Sequence, residues 1–228
     1  MSGKFWAVIG VIVAVFVGFL VFGGDKNKDT SGTSTTSATN HVKGKTDSTV
    51  KFVEYGDFQC PTCGAYYPLI KQVFEKYQDK ISFQFRNLPL TQIHNNAFAA
   101  SRAAEAASAQ GKFWEMHDLL YENQQAWSSA KTPTDIFKSF AKQLGLNETQ
   151  YETDFASSDV NKAINSDIAA FKATKNDLAT PSFFLNGKKI ELKQVVDENS
   201  QPQVEKFYAL IDEALKSETS TSTPKATN

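Results

Sequence analysis

The 228-residue chain has only two cysteines, and they stand three positions apart in the run Cys60-Pro61-Thr62-Cys63. Two thiols on one turn can interconvert between a dithiol and a disulfide, the chemistry of thiol–disulfide exchange. The run follows a β-branched, aromatic stretch, Thr49 to Tyr55, and opens a helical pattern. At a helix N-terminus the first amides lack partners and the dipole end is positive, so a thiolate there is stabilised. In such motifs the cysteine pKa falls from about 8.5 to roughly 3.5–7. Pro61 suits the first helical position, where its missing N–H costs nothing. Cys60 at the tip is expected to be the exposed nucleophile, and Cys63, one turn deeper, the resolving thiol.

Two blander readings compete. Half of a zinc site would need two more ligands, and the three histidines are poorly spaced for it: His41 lies in a polar stretch, and His94 and His117 are 23 residues apart. No metal is expected. A purely structural disulfide is the other, but closing so short a loop stabilises little.

The elements that must position this pair read as strand, helix, strand. Thr49 to Tyr55 stops at Gly56. Pro61 to Tyr77 carries Tyr66, Leu69, Ile70, Val73, Phe74 and Tyr77 on one helical face, with Pro68 expected to kink it, and Ile81 to Arg86 alternates strictly. A helical block follows: Ala97 to Ala109, Phe113 to Ala126, Thr134 to Leu144 and Val160 to Thr174, the last two separated by a polar stretch around Asn147 to Asp159. Ser182 to Leu185 returns to strand. Asn186-Gly187 is a hairpin signal, Lys189 to Leu192 the returning strand, and Val204 to Leu215 a closing helix. Ala179-Thr180-Pro181 precedes the late strand, a place where proline is tolerated.

This order resembles the DsbA-like thiol:disulfide oxidoreductases. The motifs that carry the likeness are the strand–CPTC–helix unit, the helical stretch from Pro89 to Gln124, and the Thr180-Pro181 strand start with its Asn-Gly hairpin. The resemblance implies an α/β, thioredoxin-like fold with an inserted helical subdomain, about residues 92–176. It further implies that Cys60 and Cys63 form the redox-active pair and that Thr180 and Pro181 form a cis-proline loop. That loop would bind extended substrate by strand addition, with Pro61 and Thr62 lining the contact. Glu54, six residues before Cys60, matches the family's buried acid, which would exchange a proton with Cys63. Alternation sets Phe52 and Glu54 on one face and Val53 and Tyr55 on the other. Thr62 departs from the best-known pattern, which has histidine there, and so weakens the expected thiolate stabilisation. Asp57 reads as a loop residue. His94 reads as a neighbour of a helix cap and His117 as a helix-packing residue, neither of them catalytic.

The ends are appendages. Phe5 to Phe22 is uncharged, and 18 residues reach roughly 27 Å as a helix, about a bilayer core. Residues 1–24 are read as a transmembrane anchor in preference to a cleaved signal, because the run is long for a signal and no A-x-A-like site closes it. Residues 25–47, rich in Ser, Thr, Lys, Asp and Gly, are expected as a flexible linker, 48–216 as the folded domain, and 217–228 as a disordered tail. Lysine counts do not orient the anchor. Disulfide chemistry places the domain on the extracytoplasmic side of the cell membrane.

A net charge of −1 gives no field for nucleic acid. The function expected is a disulfide oxidase, with no separate cofactor, acting on unfolded or reduced secreted proteins. The family resemblance implies reoxidation by a quinone-linked integral membrane partner. A reductase or isomerase kept reduced by a membrane electron donor is the alternative, and a binding module that retains the fold is a third.

Overall fold

Residues 39–221 are described by the structure, a computed structural model. The expected anchor (1–24), residues 25–38 of the expected linker, and 222–228 lie outside the described residues. Among the described residues no helix is long and apolar enough to cross a membrane.

Strands β1 (His41–Gly44), β2 (Lys51–Gly56), β3 (Ser82–Asn87), β4 (Ser182–Leu185) and β5 (Lys188–Ile190) form one sheet in the order β1-β3-β2-β4-β5. Only the β2–β3 pairing is parallel, joined by α1 (Pro61–Tyr77); the other pairings are antiparallel. Between β3 and β4 lie α2 (Ala97–Ser108), α3 (Phe113–Glu122), the short α4 (Gln124–Trp127), α5 (Pro133–Gln143), α6 (Glu148–Ala156) and α7 (Ser158–Ala173). These helices are the expected insertion. A 3₁₀ turn (Leu192–Gln194) and α8 (Val204–Thr221) close the chain.

Side-chain alternation assigns the layers. Phe52, Phe83 and Phe183 share one sheet face, where they pack with Tyr66, Ile70, Val73 and Tyr77 of α1 and Phe207 and Ile211 of α8. Further along that face Phe85 joins Phe58, Cys63 and the alanine-rich α2. Tyr55 and Phe184 point the other way and meet Phe171 of α7. Pro68 lies inside α1, which continues through it to Tyr77.

Three expectations are corrected. The linker does not reach residue 47, because β1 pairs with β3 and its approach is tied into the insertion. Thr39 donates from its N–H and Oγ1 to Asp167 at 2.8 and 2.5 Å, and His41 bonds Glu105 at 2.7 Å while stacking on Phe113. Composition alone cannot reveal such partners. The polar stretch after Asn147 is not a simple separator, since α6 forms there. Asn147 caps it by accepting from the Gln150 N–H, and Tyr151 is its buried anchor. The closing helix runs on to Thr221, into the segment expected as a tail.

Candidate active site

The Cys60–Cys63 run sits where β2 hands over to α1. Cys60 is the N-cap, extended at φ −66° and ψ 121°, and its carbonyl accepts the Gly64 N–H at 3.1 Å. Pro61 follows in the first turn, as expected. The preceding loop is fixed from outside. Asp57, fully buried, accepts from the N–H groups of Gln59 and Leu90 at 2.8 Å each and lies 2.7 Å from His94 Nδ1. Its backbone carbonyl accepts the Cys60 N–H. The Gln124 amide donates to the carbonyls of Phe58 and Cys60 at 2.7 and 2.9 Å. A Cβ at position 64 would stand 2.7 Å from Gln124 Oε1, so glycine there lets the amide approach.

Both cysteines are free thiols. Cys63 is fully buried, as expected. Cys60 is not the exposed tip, since only 6% of it meets solvent. The loop before β4 covers it, and its thiol donates to the Thr180 carbonyl at 3.4 Å. The Thr180–Pro181 bond is cis, as the resemblance implies, with Pro181 buried; Pro61 and Thr62 are exposed beside it. The structure therefore brings together Cys60, Cys63, Pro61, Thr62, Thr180 and Pro181.

Electrostatics divide the two thiols. Hydrogen bonding from the Cys63 side chain is the largest influence on Cys60. Against the opposing cost of burial, and aided by the Thr180 side chain and the Cys63 and Thr62 amides, it lowers the Cys60 pKa to about 5. The thiolate is thus stabilised without a histidine at position 62. Burial first, then the neighbouring Cys60, pushes the Cys63 thiol well above its ordinary value, and Glu54 adds to this.

Glu54 is 3% exposed on the sheet face that alternation assigns to it, and burial raises its pKa to about 8 against a smaller opposing pull from Lys43. Near neutral pH it holds a proton that a departing Cys63 thiolate could take. Lys43 of β1 lies 4.1 Å from the ring centroids of both Phe74 and Trp114.

Sequence reasoning missed the loop's supports. Asp57 is a buried anchor, not a plain loop residue, and His94 is its partner across 37 residues. Gln59 and Asn96 extend the clamp to the carbonyls of Trp127, Ser128 and Ala130. Single polar residues so far apart carry no motif. Among the described residues no group of three or more His, Cys, Asp or Glu could hold a metal ion.

Comparison with known proteins agrees with this geometry. The family described as Thioredoxin matches residues 36–218. Curated relatives include the Na(+)/H(+) antiporter NhaA 3 of Salinispora tropica, 36% identical over 149 residues. Another is the Na(+)/H(+) antiporter NhaA 1 of Mycolicibacterium gilvum, 38% identical over 154. Each alignment covers 65% of this chain but only 22% and 24% of the relative, so the chain spans about a quarter of the length of these relatives. Among solved structures, alpha-DsbA1 of Wolbachia pipientis superposes with a TM-score of 0.65 at 17% identity, covering 80% of this chain and 94% of that one. Oxidised BdbD of Bacillus subtilis gives 0.61 at 23% identity, covering 77% and 92%. These likenesses bear on the fold.

Proposed function

The chain belongs to the thioredoxin family, and from that footing we propose that it is a thiol:disulfide oxidoreductase acting as a disulfide oxidase on extracytoplasmic proteins. The observation that carries the reading is the Cys60 site: a thiol at a helix N-terminus, 3.4 Å from the carbonyl before a cis proline, with its pKa lowered to about 5. A stabilised thiolate is a good leaving group and favours the reduced enzyme, which makes the couple oxidising.

In the forward reaction a substrate thiolate attacks Cys60 Sγ of the disulfide form. The Cys60–Cys63 bond breaks, its electron pair stays on Cys63, and the neutral Glu54 carboxyl supplies the proton. The substrate's second thiolate then attacks the mixed disulfide and releases the Cys60 thiolate. The Thr180 backbone beside Pro181 is the platform for an extended, unfolded or reduced secreted substrate. An open groove lined by Gln59, Pro61, Gly64 and Gln124 runs along the other side of the pair. Reoxidation falls to a quinone-linked integral membrane partner, with no separate cofactor in the domain. The apolar run from Phe5 to Phe22 supports a membrane tether, which would raise the effective concentration of that partner.

The test is the reduction potential against glutathione, with the cysteine pair followed by alkylation. A value near about −120 mV supports the oxidase, and one near about −270 mV replaces it with a reductase. A pair that fails to exchange leaves a binding module.

A further inference from the structure

His117 is a buried titratable group that the exchange chemistry above does not use. It lies on α3, supplied by the helical insertion, and is 4% exposed among Phe58, Phe85, Trp114 and Tyr121, with ring centroids 4.8–5.6 Å away. Its Nδ1 is 2.9 Å from Asp118 Oδ1, a carboxylate about one-third exposed. That partner assigns the proton to Nδ1 and leaves Nε2 as the lone-pair end. Nε2 is buried and finds no hydrogen-bond partner. An orphaned acceptor in an aromatic core is a cost that packing alone does not explain.

A narrow crevice offers the explanation. Its walls include Lys43, Glu54, Tyr67, Lys71, Asp118 and His117 itself beside two apolar side chains, and it has room on the order of a single water. The insertion's imidazole and the buried acid beneath the cysteine pair thus line one small space, and Lys71 and Asp118, both partly exposed, mark its way out.

We propose that His117, oriented by Asp118, is the proton relay that recharges Glu54 from solvent across this crevice. The proposal rests on the oxidoreductase reading above. When the substrate sulfur bonds to Cys60, the Cys60–Cys63 bond breaks with its electron pair on Cys63. Cys63 takes the Glu54 proton, and a carboxylate is left in a buried site. His117 accepts a proton from the crevice mouth at Nε2 and returns it to Glu54, ending neutral, so no proton is gained or lost within the pair. Burial keeps the imidazole pKa low despite Asp118, so the ring spends most of its time neutral and is a strong acid when charged. The charged and titratable groups facing it are Lys43 and His41 of β1, Glu54 of β2, Tyr67 and Lys71 of α1, and Asp118 and Tyr121 of its own helix. His117 is a positioning and relay residue, since it touches neither the sulfurs nor substrate.

The test uses the full chain in its disulfide form, mixed with reduced glutathione between pH 5.5 and 8.5. His117→Ala is expected to slow reduction about tenfold at neutral pH, less than the roughly hundredfold or more of a group acting directly on the reacting atoms because His117 acts through Glu54, with an unchanged redox equilibrium. Imidazole at fixed pH is expected to restore the rate. Pyrazole, the same ring shape but a far weaker base, is expected not to. A wild-type rate in the variant, or equal rescue by both rings, overturns the relay and leaves His117 as packing. Should that variant fail to fold, Asp118→Asn at the partly exposed position decides: a severalfold slowing with an altered pH profile supports the relay, and a wild-type profile removes it. Loss of glutathione exchange in the wild-type chain would instead sink the oxidoreductase reading itself, and the relay with it.

Discussion

Replacing Glu54 by Gln is predicted to stabilise the protein, by an amount that grows with pH. Its carboxyl titrates at 4.5 when exposed and about 8 in the fold, so the folded state holds the proton more tightly than the unfolded one. Stability from this group is greatest below pH 4.5, falls as pH rises towards 8, and is then level. At pH 7 the 2.5 units above the unfolded value correspond to about 3 kcal/mol, rising to ~5 kcal/mol above pH 8. Glutamine carries no such proton-linked penalty. Urea unfolding of both proteins, with the cysteines kept reduced, should give midpoints that nearly coincide at pH 4.5. At pH 7 they should differ by roughly 1–2 M for an m-value near 2 kcal/mol/M. Cys60 titrates alike in both and cancels. Parallel stability profiles from pH 4.5 to 8.5 would refute the assignment of Glu54 as a buried, neutral acid. The same variant is expected to exchange disulfides more slowly, because Cys63 loses its proton source.

Thiolate absorbance at 240 nm is expected to titrate near pH 5 for Cys60 and to move upward in Thr180→Val; a thiolate appearing only above pH 8 would contradict this. At pH 7 the two units below neutrality favour the reduced form by about 3 kcal/mol, or ~60 mV, and this advantage is lost as pH falls through 5. Asp57→Ala removes three hydrogen bonds from a buried carboxylate and is expected to cost about 2–4 kcal/mol in thermal unfolding; a change under ~0.5 kcal/mol would mean the loop holds itself. Gly64→Ala displaces the Gln124 amide and Gln124→Ala deletes it, so each is expected to cost about 1–2 kcal/mol and the pair no more than the larger. Additive losses would show that position 64 acts through something else.

The parts of the fold legible in the sequence are those whose determinants are local. Pro61 after a strand, the alternation of Phe83 and Phe85, and Asn186-Gly187 each act over a few residues. The last two indeed adopt φ of 51° and 78° at the hairpin. Strand β1 was hidden because its supports are distant: Thr39 and His41 find Asp167 and Glu105, 128 and 64 positions on. Helix α6 was hidden because it buries only Tyr151 and depends on the Asn147 cap. In the site, the cysteine pair and Pro181 were legible from types and order. The near-complete covering of Cys60 was not, since it depends on how closely the Thr180 loop descends. Nor were the clamps from Asp57 and Gln124, which are ordinary polar residues until the fold sets them beside the loop.

The contact between the Cys60 thiol and the Thr180 carbonyl joins residues 120 positions apart, and this gives the site a history as well as a shape. During synthesis Cys60 leaves the ribosome long before its cover. At about 5–20 residues per second the intervening chain takes roughly 6–24 s to follow. Through that interval the thiol lacks the loop that shields it and the Thr180 side chain's share of its acidity, and keeps only the contributions of its neighbours Thr62 and Cys63. The reactive centre is therefore closed over only when the chain from Thr180 onward arrives, and the newborn polypeptide meets its surroundings first with its cysteine pair uncovered.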